Sequence, residues 1–276
     1  MGENDVMFPG DWGSCCICGE HRKLTFEHIP PKSAFNTGGG RSATMRQLLA
    51  EEQGRNVRYS KNRKGFGKVS LCAPCNNNTG RWYGRAYTDW AYQGMRFINA
   101  TGSLALPFHV FPGRIAKQIL AMFASTNRHY FFEAHPGLRK YVLDPHSIGI
   151  PENLRLYVYL TTSNNYVSRT TGVVAAIYFG RDPRTSVFSE IAFMPFGYIL
   201  SIDSPPPAPN LFDITFFCQH RYNDYRDLHL PISSREVHSH FPADFRTKEE
   251  WEAAKNKAEA ERLVAAVNGD SISREI

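Results

Sequence analysis

No stretch of the chain approaches the roughly 18 uninterrupted apolar residues that a membrane-spanning helix requires, and its 276 residues contain no internal repeat. The N-terminus, MGENDVMFPG, lacks a basic segment followed by an apolar one, and Val6 stands where a myristoylation pattern wants Ser or Thr. These absences argue against a membrane span or an export signal and make a cytoplasmic location the expectation. With 42% hydrophobic and 13% aromatic residues the chain can still bury a core. Its length exceeds one modal domain of roughly 100–150 residues, so two are expected, divided near residue 100.

Acidic residues are missing where basic ones gather. Residues 1–100 hold 14 Lys/Arg against 8 Asp/Glu, and the remainder holds 18 of each, so the net charge of +6 lies in the first third. The segment RNVRYSKNRKGFGK carries Arg55, Arg58, Lys61, Arg63, Lys64 and Lys68 with no acid among them. A local cationic surplus of this kind gains free energy by displacing counterions from phosphates, which makes nucleic acid, DNA in the first instance, the expected partner. A solvated basic insertion is the competing reading. The Gly and Asn content of the segment predicts a loop that orders on a ligand, and nothing in it encodes base readout.

Cysteine is scarce too, but four of the six residues form two C-x2-C pairs, Cys15/Cys18 in CCIC and Cys72/Cys75 in CAPC. Each pair is a tight knuckle able to direct two thiolates at one tetrahedral ion, and together they make a complete ligand set for structural Zn2+. A disulfide framework suits a secreted chain, and a redox dithiol is the other alternative. The 53 residues between Cys18 and Cys72 exceed the roughly 15–20 of a simple zinc ribbon, so a functional segment is expected between the knuckles. Cys16 reads as a spare thiol, Cys218 as a buried strand cysteine, and His238/His240 as an incidental surface pair.

Within that insertion, LTFEHIPPKS sets Glu27 and His28 just ahead of a double proline, and Asn76 follows the last knuckle cysteine directly. Adjacent strand residues point to opposite faces, so both side chains can enter one pocket only where the strand ends or bends. Pro30-Pro31 supplies such an end. CCIC, FEHIPP and LCAPCNNNTG together resemble the zinc-bound branch of the HNH, or ββα-metal, endonuclease family, over residues 15 to about 80 only. The resemblance implies a zinc-stabilised ββα fold in which Glu27 and Asn76 hold a catalytic Mg2+ or Mn2+ and His28 is the general base for phosphodiester hydrolysis. Two departures stand out. The acid is Glu rather than the commoner Asp, and the middle Asn that orients the base in the family has no counterpart in GFGKVSL, with Asn56 and Asn62 farther upstream. Some other group must then hold His28, or the frame is a catalytically inactive zinc-stabilised nucleic-acid-binding protein.

The aromatics of residues 81–99 recur at helical spacing and predict a helix packed into a core, with base stacking as the alternative. Arg114–Ser125 reads as an amphipathic helix. LRLYVYL, GVVAAIYF, VFSEIAFM, YILSID and LFDITFF read as strands of a mainly antiparallel sheet, with SPPPAP a stiff connection between the last two. Thr247 and Glu250 form a capping box for a final helix ending near Asn268-Gly269. The expected class is α+β, an HNH-like unit over residues 1–100 followed by an α+β unit over 101–276. The second unit's expected role is targeting, homo-oligomerisation or regulation, with defence against phage as an association at the level of fold alone.

Overall fold

A computed structural model describes residues 7–100, 105–162, 167–178, 184–254, 256–257 and 259–261. The fold is mixed α and β, with sheets that are antiparallel except for one strand pair. Among the described residues no helix is long and apolar enough to cross a membrane.

The first hundred residues build a small three-stranded sheet in the order β1 (Trp12–Ser14), β2 (His21–His28), β5 (Gly67–Cys72). Between β2 and β5 lies a small module of β3 (Gly40–Ser42), helix α1 (Met45–Glu52) and β4 (Ser60–Asn62), with β3 and β4 paired. The basic segment therefore contains a short strand rather than loop throughout. Helix α1 starts on a capping box, Thr44 and Gln47 satisfying each other's backbone N–H groups. From Cys72 the chain turns straight into α2 (Ala73–Thr79), one π-helical turn (Gly80–Gly84) and α3 (Arg85–Met95).

Three aromatics of this continuous helix pack inward, while Tyr92 is exposed. Tyr83, Tyr87 and Trp90 are buried, and Trp90 stacks on Phe196 at 4.5 Å and 8° while its Nε1 donates to the Tyr198 hydroxyl at 3.0 Å. Core packing, not base stacking, accounts for them. Phe196 and Tyr198 belong to a strand of the second half, Phe196–Ile202, so one cluster of buried residues runs from Cys15 and Leu71 through Trp90 to Leu156 and Leu200.

After β6 (Leu106–Val110) the helix predicted to be amphipathic, α4 (Pro112–Thr126), is buried on nearly every side, Lys117 and Gln118 included. The two short helices α5 (His129–Ala134) and α6 (Pro136–Leu143) pack against it. Lys117 is tolerated because its ammonium donates to the carbonyls of Tyr141 and Asp144, the latter at 2.9 Å, and lies 3.6 Å from the Tyr141 ring centroid. Burial lowers its pKa to about 8. The unfolded chain, with an ordinary lysine near 10.5, binds the extra proton between those two values. Stability contributed by this group therefore rises with pH across that window. Relative to Lys117→Met, the wild-type unfolding free energy should increase by about 1 kcal/mol from pH 7 to pH 9. Parallel urea-unfolding results at the two pH values would contradict this.

The large sheet runs β11 (Phe212–Asp213), β7 (Leu154–Thr162), β10 (Phe196–Ile202), β9 (Arg184–Phe193), β8 (Arg169–Tyr178), and β13 (Ser234–Glu236) pairs parallel to β7. Strand β12 (Arg226–Leu230) pairs with β6. Of LFDITFF only Phe212–Asp213 is strand, and Thr215–Gln219 forms a 3-10 turn. Asp213 Oδ1 takes the Thr215 N–H at 2.7 Å, and Thr215 Oγ1 takes the Leu156 N–H at 2.9 Å, so turn chemistry overrides the apolar alternation. The Thr247/Glu250 capping box forms as expected, whereas Asn268-Gly269 lies outside the described residues.

Candidate active site

Two knuckles converge on one point, the first in the turn between β1 and β2 and the second where β5 passes into α2. The Sγ atoms of Cys15, Cys18, Cys72 and Cys75 all lie within 4.8 Å of one another, and Cys18 and Cys72 are 3.8 Å apart. A tetrahedral site with bonds of about 2.3 Å has edges of about 3.8 Å, so the four thiols are placed to hold a zinc ion. Among the described residues this is the one group of three or more His, Cys, Asp or Glu that could do so, and no disulfide competes, since all six cysteines are free. Thiols this close cannot all ionise unaided. A hydrogen bond from Cys75 holds Cys15 down to about 4, that same bond pushes Cys75 well up, and burial pushes Cys18 up to about 11. A bound dication reverses that repulsion by keeping all four as thiolates. Cys16 takes no part, its thiol pointing instead at the Asn127 carbonyl, 3.7 Å away. From the other half of the chain, Arg139 of α6 donates to the Ile17 carbonyl at 3.0 Å and braces the first knuckle.

The knuckles fix the ends of β2 and α2, and these two elements carry the acid, the histidine and the amide. Strand β1 covers β2 only at His21–Lys23, and β2 stops at His28. A cleft of about 850 Å3 opens there, lined by Glu27, His28 and Asn76 together. Its far wall is one face of the continuous helix, where Asn76, Gly80, Gly84, Thr88 and Tyr92 follow one another at four-residue intervals.

Glu27 is 8% exposed, no hydrogen bond or ion pair reaches its carboxylate among the described residues, and burial alone pushes its pKa to about 8. Asn76 spends its Nδ2 on the Thr25 hydroxyl at 2.9 Å and the Phe26 carbonyl at 3.2 Å, and its Oδ1 takes no donor among the described residues. The Glu27 carboxylate and the Asn76 amide oxygen, lining one cleft, are both oxygen ligands of the kind a hard divalent cation takes.

The group that holds His28 is a backbone carbonyl. His28 Nε2 lies 3.0 Å from Lys64 O, and Phe26 packs edge-on against the ring at 4.9 Å. A carbonyl only accepts, so the neutral ring carries its proton on Nε2 and presents Nδ1 as the free base. The loop bearing Lys64 is itself clamped by Asn36, 1% exposed. Asn36 donates to the carbonyls of Pro30 and Phe66 and accepts the Phe66 N–H, each at 2.7 Å. Gly65 makes this approach possible, because it sits at φ +91° and a Cβ there would meet the Asn36 carbonyl at 2.3 Å.

Sequence reading missed Asn36, which sits in SAFNTGGG and looks like any turn asparagine. Removing three hydrogen bonds of a buried side chain at once should make Asn36→Ala about 2–4 kcal/mol less stable. The variant should also show raised amide exchange at Gly65 and Phe66, and unchanged exchange there would remove Asn36 from this role.

Of the predicted phosphate-binding residues, Arg55, Arg58, Lys61, Arg63 and Lys64 are exposed and take part in no ion pair among the described residues. Lys68 is different. It pairs with Glu27 in the β2–β5 register, yet its ammonium donates to the Thr126 carbonyl at 2.9 Å and desolvation lowers its pKa. That engagement joins the small sheet to α4.

Comparison of the chain with protein-family models, with curated proteins and with solved structures finds no match.

Proposed function

We propose that the protein is a metal-dependent endonuclease of the HNH type, hydrolysing phosphodiester bonds in nucleic acid, with zinc at the four cysteines as a structural ion. The observation that carries this reading is the convergence of Glu27, His28 and Asn76 on one cleft beside a four-cysteine cluster. Glu27 and Asn76 would hold the catalytic Mg2+ or Mn2+. When bound, that ion supplies charge stabilisation for the phosphate and the leaving oxygen. His28, its Nε2 proton held by the Lys64 carbonyl, accepts a proton from the attacking water at Nδ1. The exposed cations Arg55, Arg58, Lys61, Arg63 and Lys64 hold flanking phosphates without reading sequence, so DNA is cut with low specificity.

The test is incubation of the purified chain with supercoiled plasmid and with single-stranded RNA, in Mg2+, Mn2+ or EDTA. Metal-dependent cutting of either substrate is the expected result. Binding without cutting under every condition would replace this reading with that of an inactive zinc-stabilised nucleic-acid-binding protein.

A further inference from the structure

The two edges of the large sheet end differently. Strand β7 has its outer edge covered in two pieces, by β11 at Tyr157 and Val158 and by β13 at Leu160, Thr161 and Thr162. At the other end β8 pairs with β9, and among the described residues no strand lies along its outer edge. An uncovered edge presents a row of unpaired backbone N–H and C=O groups, and proteins that stay monomeric blunt it with charged side chains, proline, a short strand or a bulge.

Strand β8 is ten residues long, and over residues 170–178 it reads TTGVVAAIY, with neither charge nor proline. Its one blunting device is confined to the first half. There the pairing with β9 shifts between Thr171 and Val174, and the Val173 N–H is taken by Asn127 Oδ1 at the end of α4, at 2.8 Å. From Val174↔Phe188 to Tyr178↔Arg184 the register is regular. In this second half Val174 and Ala176 pack against the cluster of Tyr159, Phe188 and Ile199, whereas Ala175 and Ile177 are exposed, Ile177 at 62%. An open backbone edge and an exposed apolar side chain thus coincide on the same five residues.

The absence of charge selects the occupant. When two identical strands pair antiparallel about a two-fold axis, the same stretch is used twice, and any charge near the axis sits close to its own copy. A foreign strand imposes no such condition, because a charge on β8 could be answered there by its opposite. We propose that residues 174–178 pair antiparallel with the same residues of a second copy of this chain. The two large sheets then form one continuous sheet, and each Ile177 is set against the partner's strand. None of these residues lines the cleft, so the pairing stands independently of the chemistry proposed there.

The test is the solution mass of the full chain, from light scattering at about 50 µM, well above a micromolar Kd. It is read beside hydrogen exchange at those amides of residues 174–178 that β9 does not bind. Wild type should run at twice the mass of one chain. Ile177→Lys and Ala175→Glu should run as monomers with an unchanged circular dichroism spectrum, since both side chains stand in solvent in the single chain. In them the outer amides should exchange about tenfold or more faster than in wild type. Ile148→Lys, at a position 51% exposed and outside the sheet, should leave the dimer intact. A monomeric wild type overturns the pairing, as does a dimer that Ile177→Lys and Ala175→Glu leave unweakened or that Ile148→Lys weakens equally. A monomer that dimerises once residues 262–276 are removed also overturns it, and makes the chain's own tail the cover of this edge.

Discussion

His28→Ala should retain the fold and the nucleic-acid affinity measured in EDTA while losing about 10²–10⁴-fold in the rate of metal-dependent cleavage. The expectation of intact folding comes from position. His28 is the last residue of β2 and is only half-buried, and the Lys64 carbonyl it leaves behind sits beside an open cleft where water can replace the lost donor. The size of the kinetic loss comes from role, since a positioned base acts on the proton lost in the transition state and contributes little to ground-state binding. Added imidazole should restore part of the rate, because the cleft beside the truncated side chain is large enough to admit it. A variant that cuts as fast as the wild type would remove His28 from the proposed chemistry, and an unfolded variant would be recognised by its melt.

The purified chain should carry about one zinc, and Cys75→Ser should lose it and melt more than about 10 °C lower. Structural zinc contributes on the order of 10 kcal/mol in small isolated fingers. Here part of that is shared with a conventional core, since Cys15, Ile17, Leu24 and Leu71 pack in the cluster that also contains Trp90 and Ile119. Limited proteolysis of the zinc-free protein should therefore cut first within residues 15–80, while the sheet of β7, β9 and β10 resists. Because the knuckles fix both β2 and α2, the loss of zinc should abolish cleavage along with the local fold. Retention of full stability after complete zinc removal, with reversible oxidation of the pairs, would instead support the redox-dithiol reading.

What could be read without coordinates was whatever depends on neighbours in the chain. C-x2-C spacing makes a knuckle almost irrespective of the rest, and Pro30-Pro31 ends a strand by removing donors, so the cysteine cluster and the position of Glu27-His28 were legible. The strands around Leu156 and Leu200 were equally legible because β-branched and aromatic runs bounded by turn residues are a local property. The helix predicted over residues 81–99 was visible from its aromatic spacing; only the structure joins it without a break to Ala73 and ends it at Met95.

Tertiary structure alone decided the rest. Lys117 and Gln118 look like the polar face of an amphipathic helix, and only the carbonyls of Tyr141 and Asp144, contributed from more than 20 positions away, show how a lysine can be buried there. Lys68 reads in the sequence only as one more charge, and its hydrogen bond to the Thr126 carbonyl is visible only in the fold. The answer to what orients His28 is a backbone carbonyl, and every residue has one, so no side-chain pattern can announce it. The sequence by itself determined which chemical groups are available and which of them are held close by short covalent spacing. Which of those groups remain unpaired, and face a common space, depends on partners brought together by packing across the whole chain.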